Sequence, residues 1–367
     1  VHSFPRNLIT EWRRLKLPTS GTVVIGVSGG ADSVSLMLAM HELRELKKLD
    51  LRLVAAHYNH HLRNGESDTD EEFVRHITSE RKIEFTVGQA DAGNEINGSD
   101  IEQKARVARY GFLSKAAEGV NAFAVLTGHT INDQAETFLI NLLRGSGPAG
   151  LCGMKAVRPL DDERLKRREG LGAVDDLRSE CEIDGGSEPR ANESIDGDSP
   201  LLPFSSSPLL LARPLLTWAK RIHTEGYCHD RGVEYRYDTM NEDTAFKRVR
   251  IRKILLPLLE DFNPNIVETL ARTASLMQRV PNPNPPSDEN TLEIAALRAM
   301  SPEAMMNKIR SWLEHKRGST RSLGLKHIEA VGRLVRSEKS GRVAELPGKA
   351  AVVRSNGRLA YRENNVD

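Results

Sequence analysis

A chain of 367 residues, 39% hydrophobic and 28% charged, has the balance of a globular protein of two or three domains with ample length for a hydrophobic core. No run approaches the roughly 18 uninterrupted apolar residues of a membrane helix, and Val1 to Leu17 scatters Arg6, Arg13, Arg14 and Lys16 through a stretch without an apolar centre, so no signal peptide is expected. The net charge of +1 conceals an asymmetry, with 13 acidic and 6 basic residues over 161–200 against 38 and 46 elsewhere; the basic body allows a polyanionic partner, although solvated surface charge gives the same count.

In chain order, apolar strand-like runs alternate with helical periodicity over residues 1–150. Strands are expected at Thr22–Val27, Leu51–His57, Ile83–Val87 and Ala122–Thr127. Helices are expected at Asp32–Lys47, Ser67–Arg81, Ser99–Glu118 (where Ser99 and Glu102 form a capping box) and Asn132–Arg144. Such alternation predicts an α/β fold with a mostly parallel, doubly wound sheet. Residues 161–208 are rich in Gly, Ser, Asp, Glu and Pro and poor in large apolar side chains, so a disordered acidic insert is expected there. Leu209 to Pro214 reads as a further strand, followed by helices at Thr217–Arg231, Ala245–Glu260 and Asn263–Arg279. The run Pro281 to Pro286 marks a stiff linker over 281–290. Beyond it, helices at Leu292–Met300, Pro302–Lys316 and Leu325–Ser337 and strands at Arg342–Leu346, Ala350–Arg354 and Arg358–Tyr361 make a small α+β module over 291–367. The expected division is thus an α/β domain at 1–220, a helical segment at 221–280, the linker and this module.

The first strand carries the chemistry. Val23 to Val27 runs into Ser28-Gly29-Gly30-Ala31-Asp32-Ser33 and then into a helix. Paired glycines allow a sharp turn with unobstructed N–H groups, and the helix N-terminus adds partial positive charge, which together make a cradle for pyrophosphate. Asp32 would repel phosphate directly but suits a Mg²⁺ ion that bridges to it. A plain strand–helix turn capped by Asp32 is the bland alternative. There is no G-x-x-x-x-G-K-[ST], and no G-x-G-x-x-G follows this strand, so a Walker loop and a dinucleotide fingerprint are excluded here.

Ser28 to Ser33 resembles the PP-loop of the N-type ATP pyrophosphatases, which split ATP between its α- and β-phosphates and leave an adenylated substrate. Four further stretches narrow the resemblance. They are His57-Tyr-Asn59-His60-His61-Leu-Arg63; Ala105-Arg106-Val-Ala-Arg109-Tyr110; Thr127-Gly128-His129-Thr-Ile-Asn132-Asp133-Gln134-Ala135-Glu136-Thr137 with Gly145-Ser146-Gly147; and Asp238 to Asp243 with Phe246-Lys247-Arg248-Val-Arg250-Ile-Arg252. In order and spacing they are similar to the tRNA(Ile)-lysidine synthetases, over about Gly21–Met154 and Arg213–Arg279 and more weakly over Leu292–Arg362. The resemblance implies ATP and Mg²⁺ as cofactors and, as partners, an isoleucine tRNA with a CAU anticodon and free L-lysine. The C2 oxygen of the wobble cytidine is adenylated, and the lysine amine then displaces AMP. No membrane is involved, and a homodimer stays open.

Within that frame Asp32, Asp133 and Glu136 are the expected catalytic residues. Asp133 and Glu136 lie one helical turn apart at a strand-end helix. They are expected to bind the lysine ammonium and help deprotonate the amine, with Asp32 and Asp133 as Mg²⁺ ligands; first-turn acids of an ordinary helix are the alternative. Ser28, Gly29, Gly30, Ala31, Asp32, Ser33, His57, Arg109 and His129 are the expected ATP contacts, although strand-end histidines are often structural and Arg106 and Arg109 suit a solvated helix face equally. Lys247, Arg248, Arg250 and Arg252, with no acid among them, suit phosphate contacts to tRNA rather than chemistry. Asn132 departs from the family, which usually has aspartate there. A PP-loop tRNA thiolase is the closest rival, but Cys152, Cys181 and Cys228 supply no C-x-x-C pair. A non-catalytic tRNA-binding relative is the rival of another class. Scattered cysteines also point to a reducing cytoplasm.

Overall fold

Five of six strands of the first sheet run parallel: β1 (Ser20–Gly26), β2 (Asp50–Asn59), β3 (Glu84–Gln89), β4 (Ala124–Thr127) and β6 (Leu210–Ala212); β5 (Val157–Pro159) pairs antiparallel with β6 at the edge. The computed structural model describes residues 2–59, 66–90, 101–160, 208–237, 246–279, 290–317, 323–348 and 350–363. The expected insert up to 207, the Ser99 capping box, the proline-rich run, His60 to Arg63 and Asp238 to Asp243 lie outside the described residues.

Val23 to Ile25 and Ala124 to Leu126 are wholly buried, which suits parallel strands covered on both faces. The sheet order β3-β2-β1-β4-β6-β5 places β1 between β2 and β4. Chain order reverses direction there, and the crevice beyond the carboxyl ends of β1 and β4 is the position at which open α/β sheets bind ligands. Around the sheet lie α1 (Ser3–Arg14), α2 (Ala31–Glu45), α3 (Glu66–Glu80), α4 (Ile101–Gly119) and α5 (Ile131–Leu143); the short α6 (Pro148–Leu151), next in the chain, belongs to the second compact unit. Helix α1 and strand β5 have no counterpart among the expected elements. Phe4, Leu8 and Trp12 of α1, spaced four apart, are buried against the core of α2 and the sheet.

Helix α7 (Arg221–Asp230) buries Thr224, Tyr227 and Cys228. The helix expected at Ala245–Glu260 is broken into α8 (Lys247–Arg250), a π turn at Ile251–Leu255 and α9 (Leu256–Phe262). Pro257 has no N–H to offer the carbonyl four residues back, and the coil widens at that point. Ile251, Leu256 and, from α10 (Ile266–Arg279), Val267 and Ala271 pack on Ile131, Ala135 and Leu139 of α5. Compactness divides the chain into two units, and the helices as far as Thr273 belong with the first sheet rather than to a separate segment.

The second unit holds an antiparallel sheet of β7 (Thr291–Glu293), β8 (Val343–Leu346), β9 (Ala350–Ser355) and β10 (Arg358–Glu363), ordered β7-β10-β9-β8. Its helices are α11 (Ile294–Arg298), α12 (Pro302–Arg317) and α13 (Leu325–Arg336). The helix expected from Leu292 begins only at Ile294, because Leu292 and Glu293 pair with Leu359 and Arg358 as a fourth strand. Trp312, Ile309, Val331, Val352 and Leu359 form a core without exposed surface.

Candidate active site

Strand β1 delivers Val27 to the sheet edge, where its N–H donates to Ala56 O at 2.9 Å. The chain then turns at Gly29, whose φ of 89° lies in the region that side chains avoid. Ser33 closes the loop: its Oγ donates to Gly30 O at 3.0 Å and accepts from Ser28 N at 3.1 Å. Gly30 is the N-cap of α2 with no side chain to satisfy the first-turn donors, and such N–H groups are what an anion binds. Gly128, at the end of β4, is required by close approach, since a Cβ there would stand 2.6 Å from Asp32 O. That contact brings His129 and α5 against the loop.

The crevice is a cavity of about 540 Å³, within the range that holds a nucleotide. Ser28, Gly30, Ala31, Asp32, Ser33, His57, Arg109, His129, Asp133 and Arg252 all line it, whereas Gly29, Glu136, Lys247, Arg248 and Arg250 do not. His57 is buried with Nδ1 2.9 Å from Val27 O, and burial lowers its pKa. His129 sits with Nδ1 2.9 Å from Thr127 Oγ1, and burial holds it well below the ordinary imidazole value. Both are therefore neutral rings at pH 7. Arg109 adjoins Tyr110, whose buried hydroxyl would be pushed up by desolvation but is brought down to about 8 by Arg106, Arg109 and Arg213.

Three carboxylates and three guanidiniums meet at the floor of this site. Asp32 Oδ1 accepts from Thr224 Oγ1 at 2.5 Å, and Arg221 Nε lies 3.9 Å from Oδ2. Burial and the neighbouring Asp133 push the Asp32 carboxyl up to about 6. Asp133 Oδ2 accepts from the N–H and hydroxyl of Thr130, capping α5, while Oδ1 accepts from Arg221 at 3.2 Å and Arg248 at 2.9 Å. Glu136 has no exposed surface and accepts from Arg221 at 2.8 Å, Arg248 at 2.7 Å and Arg252 at 2.9 Å. Burial opposes ionisation of both, but the guanidiniums outweigh it and hold both carboxyls below their usual values.

This geometry divides the expected basic cluster. Arg248 and Arg252 are held in the site by acids remote in sequence, whereas Lys247 and Arg250 are exposed. Each Asp133 oxygen accepts two hydrogen bonds in this arrangement, so a Mg²⁺ ion there would have to displace a guanidinium. Asp32 lines the crevice, with Arg221 Nε 3.9 Å from Oδ2, and its carboxylate fits the ion, which usually takes one or two carboxylates with phosphate and water. Glu136 lies behind the pocket as the anchor of the arginines. Sequence reasoning missed Arg221 and Thr224, which sit on what looks like an ordinary helix. Asn132 accepts from the backbone N–H of Arg221 at 3.1 Å and so tethers α7 to α5.

Comparison with known proteins identifies the family. The PP-loop domain family matches residues 6–168, and the TilS substrate binding domain matches residues 292–360. The tRNA(Ile)-lysidine synthase of Geobacter sulfurreducens is 31% identical over 369 residues, covering 94% of this chain and 66% of that protein. That of Dehalococcoides mccartyi is 29% identical, covering 89% and 63%. The chain thus spans just under two thirds of the length of these relatives. The tRNA(Ile)-lysidine synthase of Salinispora tropica is 30% identical over 361 residues, covering 94% of this chain and 92% of that protein. Among solved structures, the U34-tRNA thiolase NcsA from Methanococcus maripaludis shares the fold, with a TM-score of 0.52 at 13% identity over 76% of this chain and 79% of that one. With a PP-loop domain, a TilS substrate binding domain and relatives of this similarity along most of its length, the chain belongs to the tRNA(Ile)-lysidine synthase family.

Proposed function

We propose that this chain uses ATP to convert the wobble cytidine of an isoleucine tRNA with a CAU anticodon to lysidine. The cytidine C2 oxygen attacks the α-phosphorus of ATP and pyrophosphate leaves; the amine of free L-lysine then attacks C2, and AMP leaves. The observation that supports this most is the convergence on one cavity of the Ser28–Ser33 loop, the Asp32 carboxylate and the guanidiniums of Arg109, Arg221 and Arg252. Loop N–H groups bind the pyrophosphate portion, and the guanidiniums face the charge that develops on it as the bond breaks. Asp32 is the residue that would hold Mg²⁺, which supplies Lewis-acid stabilisation of the phosphates when bound.

Asp133 and Glu136 act first as positioning groups for the arginines. The lysine ammonium is a cation of the same kind, and it docks at Asp133 when a phosphate draws a guanidinium away. Exposed Lys247 and Arg250 and the module at 291–367 hold the tRNA body. The cytoplasm is the setting. Incubating the chain with radiolabelled lysine, ATP and CAU-anticodon transcripts tests the reading. Label is expected in the RNA only with ATP present and only for the CAU anticodon. ATP cleavage to AMP without RNA labelling would refute the lysine step.

A further inference from the structure

Of the tyrosines on the pocket lining, Tyr58 and Tyr235 are half-buried and Tyr237 alone is exposed. After α7 the chain returns across the PP-loop. The N–H of Arg236 donates to Gly29 O at 2.9 Å, its guanidinium lies 5.1 Å from the Phe73 ring centre, and its Cγ would be 3.4 Å from a Cβ on Gly29. Burial alternates along this strap: Val233 and Tyr235 pack half-buried on the main core, while Glu234 and Arg236 are exposed. Tyr237 continues the inward series, but where it stands the core has given way to the cavity. It lines that cavity and is nevertheless 70% exposed, whereas Val27, Ala56 and Leu113 on the same lining are at most 2% exposed.

So little burial leaves the fold almost nothing to gain from a large aromatic ring at this position. Its surroundings suggest a ligand instead. Arg109, Arg221, Arg236 and Arg252 stand on the lining among the carboxylates of Asp32, Asp70, Asp133 and Glu225; the guanidiniums offer contacts to phosphate, and the ring offers a planar face to whatever the phosphates carry. Aromatic rings beside cationic grooves take up bases by stacking, tolerant of sequence because every base has a π-face. The Ser28–Ser33 loop shares the cavity with the buried walls of Val27, Ala56 and Leu113. A base still attached to a polynucleotide must cross the mouth, where the open ring is.

We propose that Tyr237 is the stacking platform for an unpaired base of the RNA substrate, held at the mouth of the nucleotide pocket by the strap that Arg236 pins to Gly29. The proposal rests on the reading that this chain modifies RNA, and the experiment separates the two. Tyr237→Ala, Tyr237→Phe and Tyr237→Trp are made in the full chain and titrated with a synthetic CAU anticodon stem-loop and, separately, with ATP. Tyr237→Ala is expected to weaken RNA binding by about tenfold or more, to leave the KM for ATP within about twofold and not to change the melting temperature. Tyr237→Phe keeps the RNA affinity, because the ring and not the hydroxyl stacks. In Tyr237→Trp the new indole, read against the background of Trp12, Trp218 and Trp312, is quenched by the RNA and not by ATP alone. Unchanged RNA affinity in Tyr237→Ala overturns the proposal, as does a raised KM for ATP with RNA binding intact, which would assign the ring to adenine. If the unmutated chain fails to bind the stem-loop, the RNA reading itself falls and takes this proposal with it.

Discussion

Replacing Glu136 by glutamine removes the charge against which three guanidiniums are set, with almost no change in shape. Glu136 is wholly buried; Oε1 accepts from Arg221 and Arg252, and Oε2 from Arg248 and again from Arg252 at 3.3 Å. A glutamine keeps one acceptor oxygen and turns an NH₂ toward guanidinium donors, so half of these bonds become donor against donor. Removing one partner of a buried ion pair costs about 3–5 kcal/mol. The arginine side chains are 23%, 28% and 25% exposed, and Asp133 still holds Arg221 and Arg248, which places the expected loss at the low end, about 3 kcal/mol. Urea unfolding at pH 7 reads it as a shift in midpoint at constant slope. The pH dependence is a second check. Because the guanidiniums hold the Glu136 carboxyl below its unfolded value, the native state binds fewer protons, and the stabilisation is present above about pH 4–5 and lost as pH falls through that lowered value. The gap between the parent chain and Glu136→Gln should therefore close on acidification. A loss under about 1 kcal/mol at pH 7, or a gap that persists in acid, would show that water screens the cluster and that these contacts are not what holds α5, α7 and α8 together.

Asp32→Asn should stabilise the fold while abolishing pyrophosphate release. The carboxyl is raised to about 6, so the native state binds the extra proton between about pH 4 and 6 and stability falls with rising pH across that window; neutralising the group recovers about 3 kcal/mol at pH 7. A lower melting temperature for Asp32→Asn would refute this. Gly128→Ala should cost about 1–3 kcal/mol, because its Cβ meets the backbone of Asp32, and should raise the KM for ATP by displacing the loop; a variant with unchanged melting and ATP use would contradict the close approach. Arg250→Ala should flatten the log–log salt dependence of tRNA binding by about one unit and leave stability unchanged, whereas Arg252→Ala should lose more than about 1 kcal/mol. Filter binding across a salt series beside urea melts separates them, and identical behaviour of the two variants would undo the division made here.

Strands β1 to β4 and helices α2 to α5 were legible because continuous apolar runs and helical stripes are local properties, present in a window of a dozen residues. Strand β5, only three residues long, offers no such pattern, and β7 hid inside a helical one until its pairing with β10 claimed it. The PP-loop was legible for a related reason: the turn, the glycines and the helix N-terminus fall within six consecutive residues, 28–33, so their joint chemistry can be read without knowing the fold. The partners of the basic cluster were not legible, for the opposite reason. Lys247 to Arg252 contains no acid, but the acids that hold Arg248 and Arg252 lie more than 100 positions away on α5, and Thr224 reaches Asp32 across 192. Alternation and the loop thus settled, from the sequence by itself, that a parallel α/β sheet carries a glycine turn at a helix N-terminus. Only the tertiary structure decided which charges that turn faces, because an ion pair depends on distance in space, and the order that sets β1 between β2 and β4 brings together side chains the chain keeps far apart.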